Sequence, residues 1–432
     1  MEKLLVAFLS RLVARGSLTV ETASGATVMF GDGTGKEVRV RFTDPGAEWA
    51  AAINPSLRLG ELFMDGRFIV ERGTIFDFLE VVLRGAGSHP RPLPIRFMDR
   101  IRMLTRGRIS QNNPWRSRRN VAHHYDLDHR LYRLFLDEDF QYSCAYYEHP
   151  EQNLEDAQTA KKRLITAKLC VEPGHSVLDI GSGWGGLGLY IKQIGKARDV
   201  LGVTLSTEQL TAARDRARQR GLEDSVRFAL QDYRDVEGQF DRIVSVGMFE
   251  HVGPRFYNTY YSKCRELLKP DGIMVMHTIG HLDGPWYPNA WLDKYIFPGG
   301  QLPALSEIIP AVEQAGLVVT DVECLRLHYA ETLAQWRCRF MARRDEALEL
   351  YDERFCRMWE FYLASCEAAF RFQNVGVFQV QCARRQDAVP LTRDYIFERM
   401  HDLRMQEAEL TAAAEAGAGA TVETLPLRKQ RH

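Results

Sequence analysis

The feature that most constrains the fold is a strand that runs directly into a glycine-rich turn and then into a helix. Residues 177–186 read VLDIGSGWGG. Val177, Leu178 and Ile180 supply a buried strand, and the glycines supply a turn in which no Cβ keeps a ligand away from the backbone. The helix that begins after Gly186 presents free N–H groups to an anionic ligand. This pattern predicts an α/β domain with a ligand site at the turn.

The spacing of the glycines favours one kind of ligand. Gly181, Gly183 and Gly185 form a G-x-G-x-G run that encloses Trp184 and follows Asp179. A G-x-G-x-x-G run is typical of dinucleotide-binding enzymes, whereas this run fits S-adenosylmethionine better. We therefore predict that these residues bind that cofactor. The alternative is a strand-to-helix turn in an α/β domain that binds no cofactor.

Length and composition allow two or three folded domains. The chain has 432 residues, of which 45% are hydrophobic, and a formal net charge of −1. Sizeable cores can therefore form, and disorder of the whole chain is excluded. The eight cysteines form no C-x-x-C pair and lie near no histidine at metal-ligand spacing. We expect reduced, cytosolic thiols and no metal.

The first 88 residues predict a small α+β domain of a lipid-binding-like kind. The chain opens with an apolar run that Arg11 interrupts and that lacks a signal-peptide cleavage site, and no stretch reaches the ~20 apolar residues of a membrane-spanning helix. We interpret this run as an amphipathic helix that either packs against its own domain or contacts a membrane. Alternating runs from Ser17 to about Pro45 predict a small antiparallel sheet, and helical periodicity follows in EWAAAI and TIFDFLEVVLRG.

Residues 89–119 predict a basic linker that contains an amphipathic helix. The segment holds nine arginines and one acidic residue, Asp99, and its prolines mark a domain boundary. Aliphatic and aromatic residues are interleaved with the arginines, as in a helix that lies on an anionic lipid surface. The alternative is a solvated helix that pairs with acidic groups elsewhere in the protein. Nucleic acid ranks third as a partner, because no base-stacking module is evident.

Strands and helices alternate from residue 120 to about 400, which predicts a doubly wound, mostly parallel sheet. The predicted strands are VLDIG, DVLGVTL, VRFALQD, FDRIVSV, GIMVMHTI, LVVTDVECL and FQVQCARR. Ligands of such sheets bind at the carboxyl ends of the strands. Those ends nominate the glycine turn, Thr204 to Gln209, Asp232 with Tyr233, Gly247 to His251, and His277 to Ile279.

The second strand lacks the acidic residue that usually binds ribose hydroxyls in such sites. It ends in GVTLS, so Thr204 and Gln209 are the predicted polar substitutes. Asp232 closes the third strand, where it can accept a hydrogen bond from an adenine amino group, and Tyr233 lies beside it. These four residues complete the predicted cofactor contacts of the sheet.

Segments from all parts of the predicted sheet domain resemble one enzyme family. They are FQYSCAYY (140–147), VLDIGSGWGG, GVTLSTEQ, SVGMFEHVGP, LKPDGIMVMHTIG, WLDKYIFPGG and AVPLTRDYI. Together they resemble the cyclopropane-fatty-acyl-phospholipid synthases and the related mycolic-acid methyltransferases. The resemblance covers nearly the whole chain, including the small N-terminal domain that the mycolic-acid enzymes lack.

The resemblance implies the class I S-adenosylmethionine methyltransferase fold, which is Rossmann-like with a mostly parallel seven-stranded sheet. It implies transfer of a methyl group to the cis double bond of a phospholipid acyl chain, followed by loss of a proton to close a three-membered ring. An alkene is a poor nucleophile, so the sulfonium methyl must be held in line with it and away from water. We also expect a cytoplasmic homodimer that associates peripherally with the inner face of the membrane.

Family members use a bound bicarbonate ion as the base, and the resemblance assigns its holders. These would be Cys144, Glu250, His277, the backbone of Ile279, and Tyr329. A thiol, an imidazole, a phenol and an N–H group can all donate to an anion, and a carboxylate can orient one of them or accept from the bicarbonate hydroxyl. Taken singly, each side chain has an alternative interpretation as a packing or helix-start residue.

Three further residues come from the same resemblance. Tyr142 and Ser143 resemble residues that contact the methionine end of the cofactor. Cys366 matches a cysteine once proposed as a nucleophile in this family. Direct methyl transfer needs no covalent enzyme intermediate, so we expect Cys366 to serve in core packing.

Two aromatic stretches and the C-terminus complete the predictions. Residues 286–301 and 331–374 are assigned to the binding of the acyl chain, although such stripes are more often core. Residues 411–432 are rich in small residues and predict a disordered tail.

Two other functions stay open on the sequence alone. An enzyme with the same fold and cofactor could stop short of ring closure and give a methyl-branched or methylene fatty acid. A non-catalytic lipid-binding protein would use the N-terminal domain and leave the methyltransferase half inert. The complete VLDIGSGWGG and HTIG segments argue against this last possibility.

Overall fold

The computed structural model of the chain describes residues 2–86 and 128–422. The basic linker predicted over residues 89–119 lies outside the described residues, as do the last ten positions, 423–432.

The N-terminal part is a four-stranded sheet covered by helices, in the strand order β2-β1-β3-β4. Its elements are α1 (Glu2–Leu12), β1 (Ser17–Glu21), β2 (Thr27–Phe30), β3 (Glu37–Phe42), α2 (Pro45–Ile53), α3 (Pro55–Met64), β4 (Phe68–Arg72) and α4 (Ile75–Ala86). The prediction of an antiparallel sheet is wrong for one pair, because β1 and β3 run parallel. β2 returns antiparallel to β1, and the chain then crosses to the other side of β1, so β3 repeats the direction of β1.

Helix α1 packs on its own domain. Leu9, in the last turn of this helix, and Val13, just after its end, are buried in the same hydrophobic cluster as Val20 and Phe42. Burial of these side chains supports the interpretation that the opening helix packs against its own domain, and not the one in which it contacts a membrane.

The larger part is built on a seven-stranded sheet in the order β10-β11-β9-β8-β5-β6-β7. The strands are β5 (Ser176–Ile180), β6 (Asp199–Thr204), β7 (Val226–Leu230), β8 (Phe240–Val246), β9 (Leu268–His281), β10 (Val318–Leu325) and β11 (Val375–Ala383). Strands β5 to β9 pair in parallel, while β11 runs antiparallel to β9 and β10. Every residue of β5 is buried, as expected of a central strand covered on both faces. The predicted mostly parallel seven-stranded sheet is confirmed.

The larger part also contains helices, several of which pack on this sheet. They are α5 (His129–Arg133), α6 (Leu154–Lys168), α7 (Gly186–Gln193), α8 (Thr207–Gln219), α9 (Tyr257–Leu267), α10 (Ala290–Tyr295), α11 (Leu305–Gln314), α12 (His328–Ala342), α13 (Arg344–Leu350), α14 (Glu353–Phe372) and α15 (Tyr395–Val422). Among the described residues, no helix combines the length and the apolar character that crossing a bilayer requires.

The two parts contact each other through α3 and α4 of the N-terminal part and α10 and α14 of the larger part. Glu61 accepts hydrogen bonds from Lys294 Nζ at 2.6 Å and from Tyr295 Oη at 2.9 Å. A Cβ at Gly60 would lie 2.4 Å from Nε1 of Trp291. The close approach of these helices therefore depends on the missing side chain of Gly60.

The C-terminal helix continues past the point at which the sequence predicted disorder. Helix α15 extends to Val422, so the prediction of a disordered tail from residue 411 is wrong for residues 411–422. These residues are rich in alanine, which has the highest intrinsic helix propensity, and they follow directly on an established helix.

Candidate functional site

A cleft lies at the carboxyl ends of β5, β6, β7 and β8, and its volume is about 1220 Å³ when the solvent space at its entrance is included. We call it the cofactor cleft. The predicted cofactor residues that line it are Tyr142, Ser143, Asp179, Gly181, Gly183, Trp184, Thr204, Gln209, Asp232 and Tyr233. The structure therefore brings together residues from four separate stretches of sequence, three of which follow the ends of β5, β6 and β7 as the strand-end rule predicts.

Gly185 is the predicted cofactor residue that does not line the cleft. Its backbone has φ of +81°, and a Cβ there would lie 2.6 Å from Cζ of Phe228 on β7. Gly185 instead allows α7 to approach the sheet, which makes it a packing glycine. Gly181, also at φ +81°, faces Met248, where a Cβ would lie 2.9 Å from Cβ of that side chain.

Asp179 is a buried carboxylate that lacks a donor for one oxygen. Its side chain is 2% exposed, and Oδ2 has no hydrogen-bond partner among the described residues. Burial raises the pKa of Asp179 to about 7. Buried polar atoms are normally satisfied, so a cationic group in the cleft, such as the ammonium of an amino-acid moiety, fits this oxygen.

The two predicted substitutes for the ribose-binding acid contact each other. Thr204 Oγ1, at the end of β6, donates to Gln209 Oε1 at 3.0 Å. Ser206 caps the helix between them by accepting the N–H of Gln209 at 3.3 Å. Because Thr204 holds Oε1 of Gln209, the whole side-chain amide of Gln209 has a fixed orientation. Thr204 and Gln209 both line the cleft.

Asp232 is held by an arginine that the sequence did not single out. Arg234 Nε donates to Asp232 Oδ1 at 2.9 Å, and its Nη2 donates to Oδ2 at 2.6 Å. This two-point pair fixes the plane of the carboxylate. The backbone N–H of Arg234 also donates to Asp232 Oδ1, at 3.0 Å, and the contact of Asp232 with an adenine amino group stays a prediction.

The predicted bicarbonate holders do not line the cleft. We call Cys144, Glu250, His277, Ile279 and Tyr329 the rear cluster. Glu250 Oε1 accepts the N–H of Ile279 at 2.7 Å, so the N–H that was predicted to hold the ion is bound to Glu250 in this structure. Glu250 Oε2 is buried and has no partner among the described residues. Burial raises the pKa of Glu250 to about 7.

His277 connects the rear cluster to the wall of the cleft. Its carbonyl oxygen accepts the N–H of Gly247, a residue that lines the cleft, at 2.9 Å. Its Nδ1 lies 3.2 Å from Nε2 of Gln379. If the Gln379 amide donates there, the ring proton is on Nε2. Burial lowers the pKa of His277 to about 3, so the ring is neutral.

One hydrogen bond links the two segments that carry Cys144 and Tyr329. The N–H of Ala145 donates to Thr332 Oγ1 at 3.1 Å, and Thr332 lies one turn after Tyr329 on α12. The Cys144 thiol is fully buried and donates to the carbonyl of Ala145 at 3.2 Å. Burial raises the pKa of this thiol far above its usual range, so it is a neutral donor.

The remaining predicted residues serve the core. Burial raises the pKa of Cys366 to about 12, and this residue does not line the cleft. The large aromatic side chains assigned to the acyl chain are buried in one hydrophobic cluster, which includes Trp291, Trp336, Phe340, Trp359 and Tyr362. None of them lines the cofactor cleft, so a channel for the acyl chain stays a prediction.

Sequence reasoning missed a pair of buried polar residues on α6. Gln158 Nε2 donates to the carbonyl oxygens of Gln141 and Ser143 at 3.1 and 3.0 Å. Lys161, one turn later, binds the side chains of the same two residues. The segment AQTAKKR resembles an ordinary charged helix, and only the spacing of three between Gln158 and Lys161 places them on one face.

The chain matches one protein family and is similar to several characterised proteins. The family described as mycolic acid cyclopropane synthetase matches residues 112–380. The cyclopropane-fatty-acyl-phospholipid synthase of Escherichia coli (strain K12) is 42% identical over 329 residues, which are 76% of this chain and 83% of that protein. Tuberculostearic acid methyltransferase UfaA1 of Mycobacterium tuberculosis is 38% identical over 333 residues, 74% of this chain and 77% of that protein.

A solved structure agrees with these matches. The cyclopropane synthase MmaA2 from Mycobacterium tuberculosis superposes with a TM-score of 0.57 at 32% identity, over 62% of this chain and 98% of that one. The mycolic acid cyclopropane synthase CmaA1, complexed with SAH and CTAB, superposes with a TM-score of 0.58 at 34% identity and the same coverage.

Proposed function

The chain belongs to the mycolic acid cyclopropane synthetase family, and from that premise we propose how its two sites act together. The protein is an S-adenosylmethionine-dependent methyltransferase that transfers a methyl group to the cis double bond of an unsaturated phospholipid acyl chain and then closes a cyclopropane ring. The observation that carries the proposal is the hydrogen bond from Gly247 in the cleft wall to His277 in the rear cluster. Through this bond His277 lies beside the wall of the cleft, so a proton acceptor held by His277 would be close to the methyl group that is transferred.

The cleft offers a matching group for each part of the cofactor. Oδ2 of Asp179 would accept from the ammonium of the methionine moiety, and Thr204 with Gln209 would bind the ribose hydroxyls. Asp232, oriented by Arg234, would accept from the adenine amino group. Tyr142 and Ser143 would contact the methionine end. Tyr142 Oη and Tyr362 Oη lie 2.7 Å apart, which fixes the ring of Tyr142 against the aromatic core.

The donor set of the rear cluster fits a bicarbonate ion. Nε2 of His277 and the Tyr329 phenol could donate to its oxygens, and the Cys144 thiol could do so in place of its bond to the Ala145 carbonyl. Glu250 Oε2, which has no partner among the described residues, would accept from the hydroxyl of the ion. When bound, bicarbonate supplies the base for the proton lost on ring closure. The raised pKa of about 7 lets Glu250 hold or release a proton near neutral pH.

Burial of the rear cluster also protects the reaction from water. Cys144 is fully buried, His277 is 2% exposed and Glu250 is 7% exposed. Methyl transfer to an alkene leaves a carbocation, which water would capture. A site that excludes water leaves deprotonation as the route to product.

Product analysis tests this function. The purified full chain is incubated with S-adenosylmethionine, bicarbonate and vesicles of a cis-monounsaturated phospholipid. We expect acyl chains that gain one CH2 and show the ring-proton signals of cyclopropane in NMR spectra. A gain of CH2 without the ring-proton signals would instead support a methylene product. In a parallel assay supplied with a hydride donor, a gain of CH4 would support the methyl-branched product, which the likeness to tuberculostearic acid methyltransferase favours as the second candidate. No methyl transfer despite S-adenosylmethionine binding would support the lipid-binding alternative.

We propose further that residues 89–119 attach the enzyme peripherally to an anionic, inner-face membrane surface. Replacement of Arg100, Arg102, Arg106 and Arg108 with Gln should weaken binding to anionic vesicles, since each basic residue near such a surface contributes ~1 kcal/mol. The loss should shrink at high salt. Replacement of Arg198 and Arg218, two exposed arginines of the catalytic part, is the control. Equal vesicle binding by both variants would support the alternative that the segment is a solvated linker.

We also propose a homodimer, as the family resemblance implies. Light scattering of the purified full chain measures it directly, and a monomer at working concentration would contradict it.

A further inference from the structure

Lys161 is a fully buried lysine next to the cofactor cleft. Its Nζ donates to Gln141 Oε1 at 2.7 Å and to Ser143 Oγ at 2.8 Å. Both acceptors belong to residues that line the cleft. An ammonium has three protons to donate, so these two bonds account for all but one of them.

The other buried lysines of α6 are paired with acids, and Lys161 is not. Lys162 Nζ lies 2.7 Å from Asp139 Oδ2, and Lys168 Nζ lies 2.5 Å from Glu323 Oε2. Within residues 128–422, no carboxylate forms an ion pair with Lys161, whose partners there are neutral oxygens. A buried cation without a counter-ion is costly, and burial lowers the pKa of Lys161 to about 8. An anion that arrives with a ligand would remove this cost.

Lys161 contacts a segment that serves both the cleft and the rear cluster, because its Nζ donates to Oγ of Ser143, which lines the cleft and directly precedes Cys144. Burial is the main cause of the raised pKa of Asp179 and Cys144 and of the lowered pKa of His277, and the charge of Lys161 acts to lower all three. Asp137, itself buried, is the acid whose charge most favours the protonated lysine. Lys161 therefore stands between the two sites.

We propose that Lys161 is the counter-charge for a carboxylate-type anion in this site, either the carboxylate of the methionine moiety or bicarbonate. The inference rests on the proposed function, because that function brings both anions here. The two share a planar pair of oxygens that an ammonium binds through a charge-assisted hydrogen bond. In the ligand-bound enzyme this bond would use the remaining proton of Nζ.

A purely structural role makes a different prediction. Lys161 and Gln158 together anchor residues 141–143, so loss of Lys161 could simply loosen that segment. A looser segment would weaken every ligand of the cleft. Loss of a counter-charge would weaken only ligands that carry the anion.

Calorimetry on the full chain separates these roles with two cofactor analogues. S-adenosylhomocysteine carries the carboxylate, and methylthioadenosine lacks the whole amino-acid group. Lys161→Met should weaken binding of S-adenosylhomocysteine about tenfold to a hundredfold, the usual effect of losing a charge-assisted bond, and leave methylthioadenosine within about twofold. Lys168→Met is the matched control, because Lys168 is equally buried on the same helix and pairs with Glu323, away from the cleft. It should change neither affinity.

A second assay tests bicarbonate as the anion and measures product formation. If Lys161→Met leaves S-adenosylhomocysteine binding unchanged but raises the bicarbonate concentration for half-maximal activity about tenfold, the anion is bicarbonate. Unchanged values in both assays, or equal losses for both analogues, would overturn the proposal. Lys161→Gln, with thermal unfolding of each variant, provides a second test if the Met variant does not fold. Failure of the unaltered protein to bind S-adenosylhomocysteine would refute the proposed function instead.

Discussion

The cofactor cleft and the rear cluster are neighbours, yet they are assembled in different ways. The cleft is lined by short runs that follow successive parallel strands, and its residues within a run are adjacent in sequence. The rear cluster takes one or two residues each from a loop, a 3₁₀ turn, strand β9 and helix α12. Among the described residues, each site contains one buried carboxylate oxygen that has no partner, in Asp179 of the cleft and in Glu250 of the rear cluster. Under the proposed function, the oxygen of Asp179 would accept from the ammonium of the cofactor, and that of Glu250 would accept from the hydroxyl of bicarbonate.

The largest expected effect separates the chemistry of the rear cluster from cofactor binding. Glu250→Gln should cut product formation about 10²- to 10⁴-fold, the usual contribution of a general acid or base, and leave S-adenosylhomocysteine affinity unchanged. Glu48→Gln is the control, because Glu48 is also buried and its Oε1 accepts the N–H of Ala23 at 2.6 Å. Retained turnover in the Glu250 variant would remove this residue from the mechanism.

The same substitution should change how stability depends on pH. The pKa of Glu250 rises from 4.5 to about 7 on folding, because burial disfavours the carboxylate. Between these values the folded state holds a proton that the unfolded state has lost, so the free energy of unfolding falls as pH rises, by about 3 kcal/mol in all. Because Gln does not ionise, this loss of stability with rising pH should be absent in Glu250→Gln. Denaturant unfolding at about pH 5 and about pH 8 measures it, and an equal pH dependence in both proteins contradicts it.

The glycines of the turn should divide into a packing group and a ligand group. Gly185→Ala should lower the free energy of unfolding by at least about 2 kcal/mol, because its Cβ would meet Phe228 and the backbone is left-handed. Gly183→Ala should cost about 1 kcal/mol, since a Cβ there meets nothing within 4 Å and only the backbone strain at φ +53° counts. Denaturant titration compares the two. A larger loss at Gly183 would reverse the assignment.

The smallest effect concerns the cation side of the cleft. Asp179→Asn should weaken S-adenosylhomocysteine binding about tenfold, because an amide cannot pair with an ammonium as a carboxylate does. Calorimetry checks this, and methylthioadenosine, which has no ammonium, is the control ligand. A matching loss for both ligands would mean that Asp179 shapes the glycine turn and does not bind the amino group.

The sequence predicted the cleft better than the rear cluster, for a physical reason. Strand ends and glycine turns have local signatures, so Asp179, Thr204 and Asp232 could be placed from their own neighbourhoods. The bond between Glu250 and the N–H of Ile279 depends on how a 3₁₀ turn packs on β9, which no local pattern contains. The packing contact of Gly185 with Phe228 could not be predicted, because a glycine required for packing and one required for a ligand are identical in sequence.

Pairings between distant elements were also beyond the sequence. Arg234 was missed although it lies two residues from Asp232, since a pair so close in sequence is common and carries no signal by itself. Lys161 was missed because its burial follows from the docking of α6 on residues 141–143. The parallel pairing of β1 with β3 was missed for a similar reason, since alternation of apolar residues predicts strands but not their order.

A crystal structure of the full chain with S-adenosylhomocysteine, grown in bicarbonate, tests the central claim most directly. We expect the nucleoside along Thr204 to Asp232, and a planar three-oxygen ion within hydrogen-bonding distance of Glu250 Oε2 and His277 Nε2. Packed side chains in place of the ion, or an ion far from the sulfur of the bound ligand, would contradict the account.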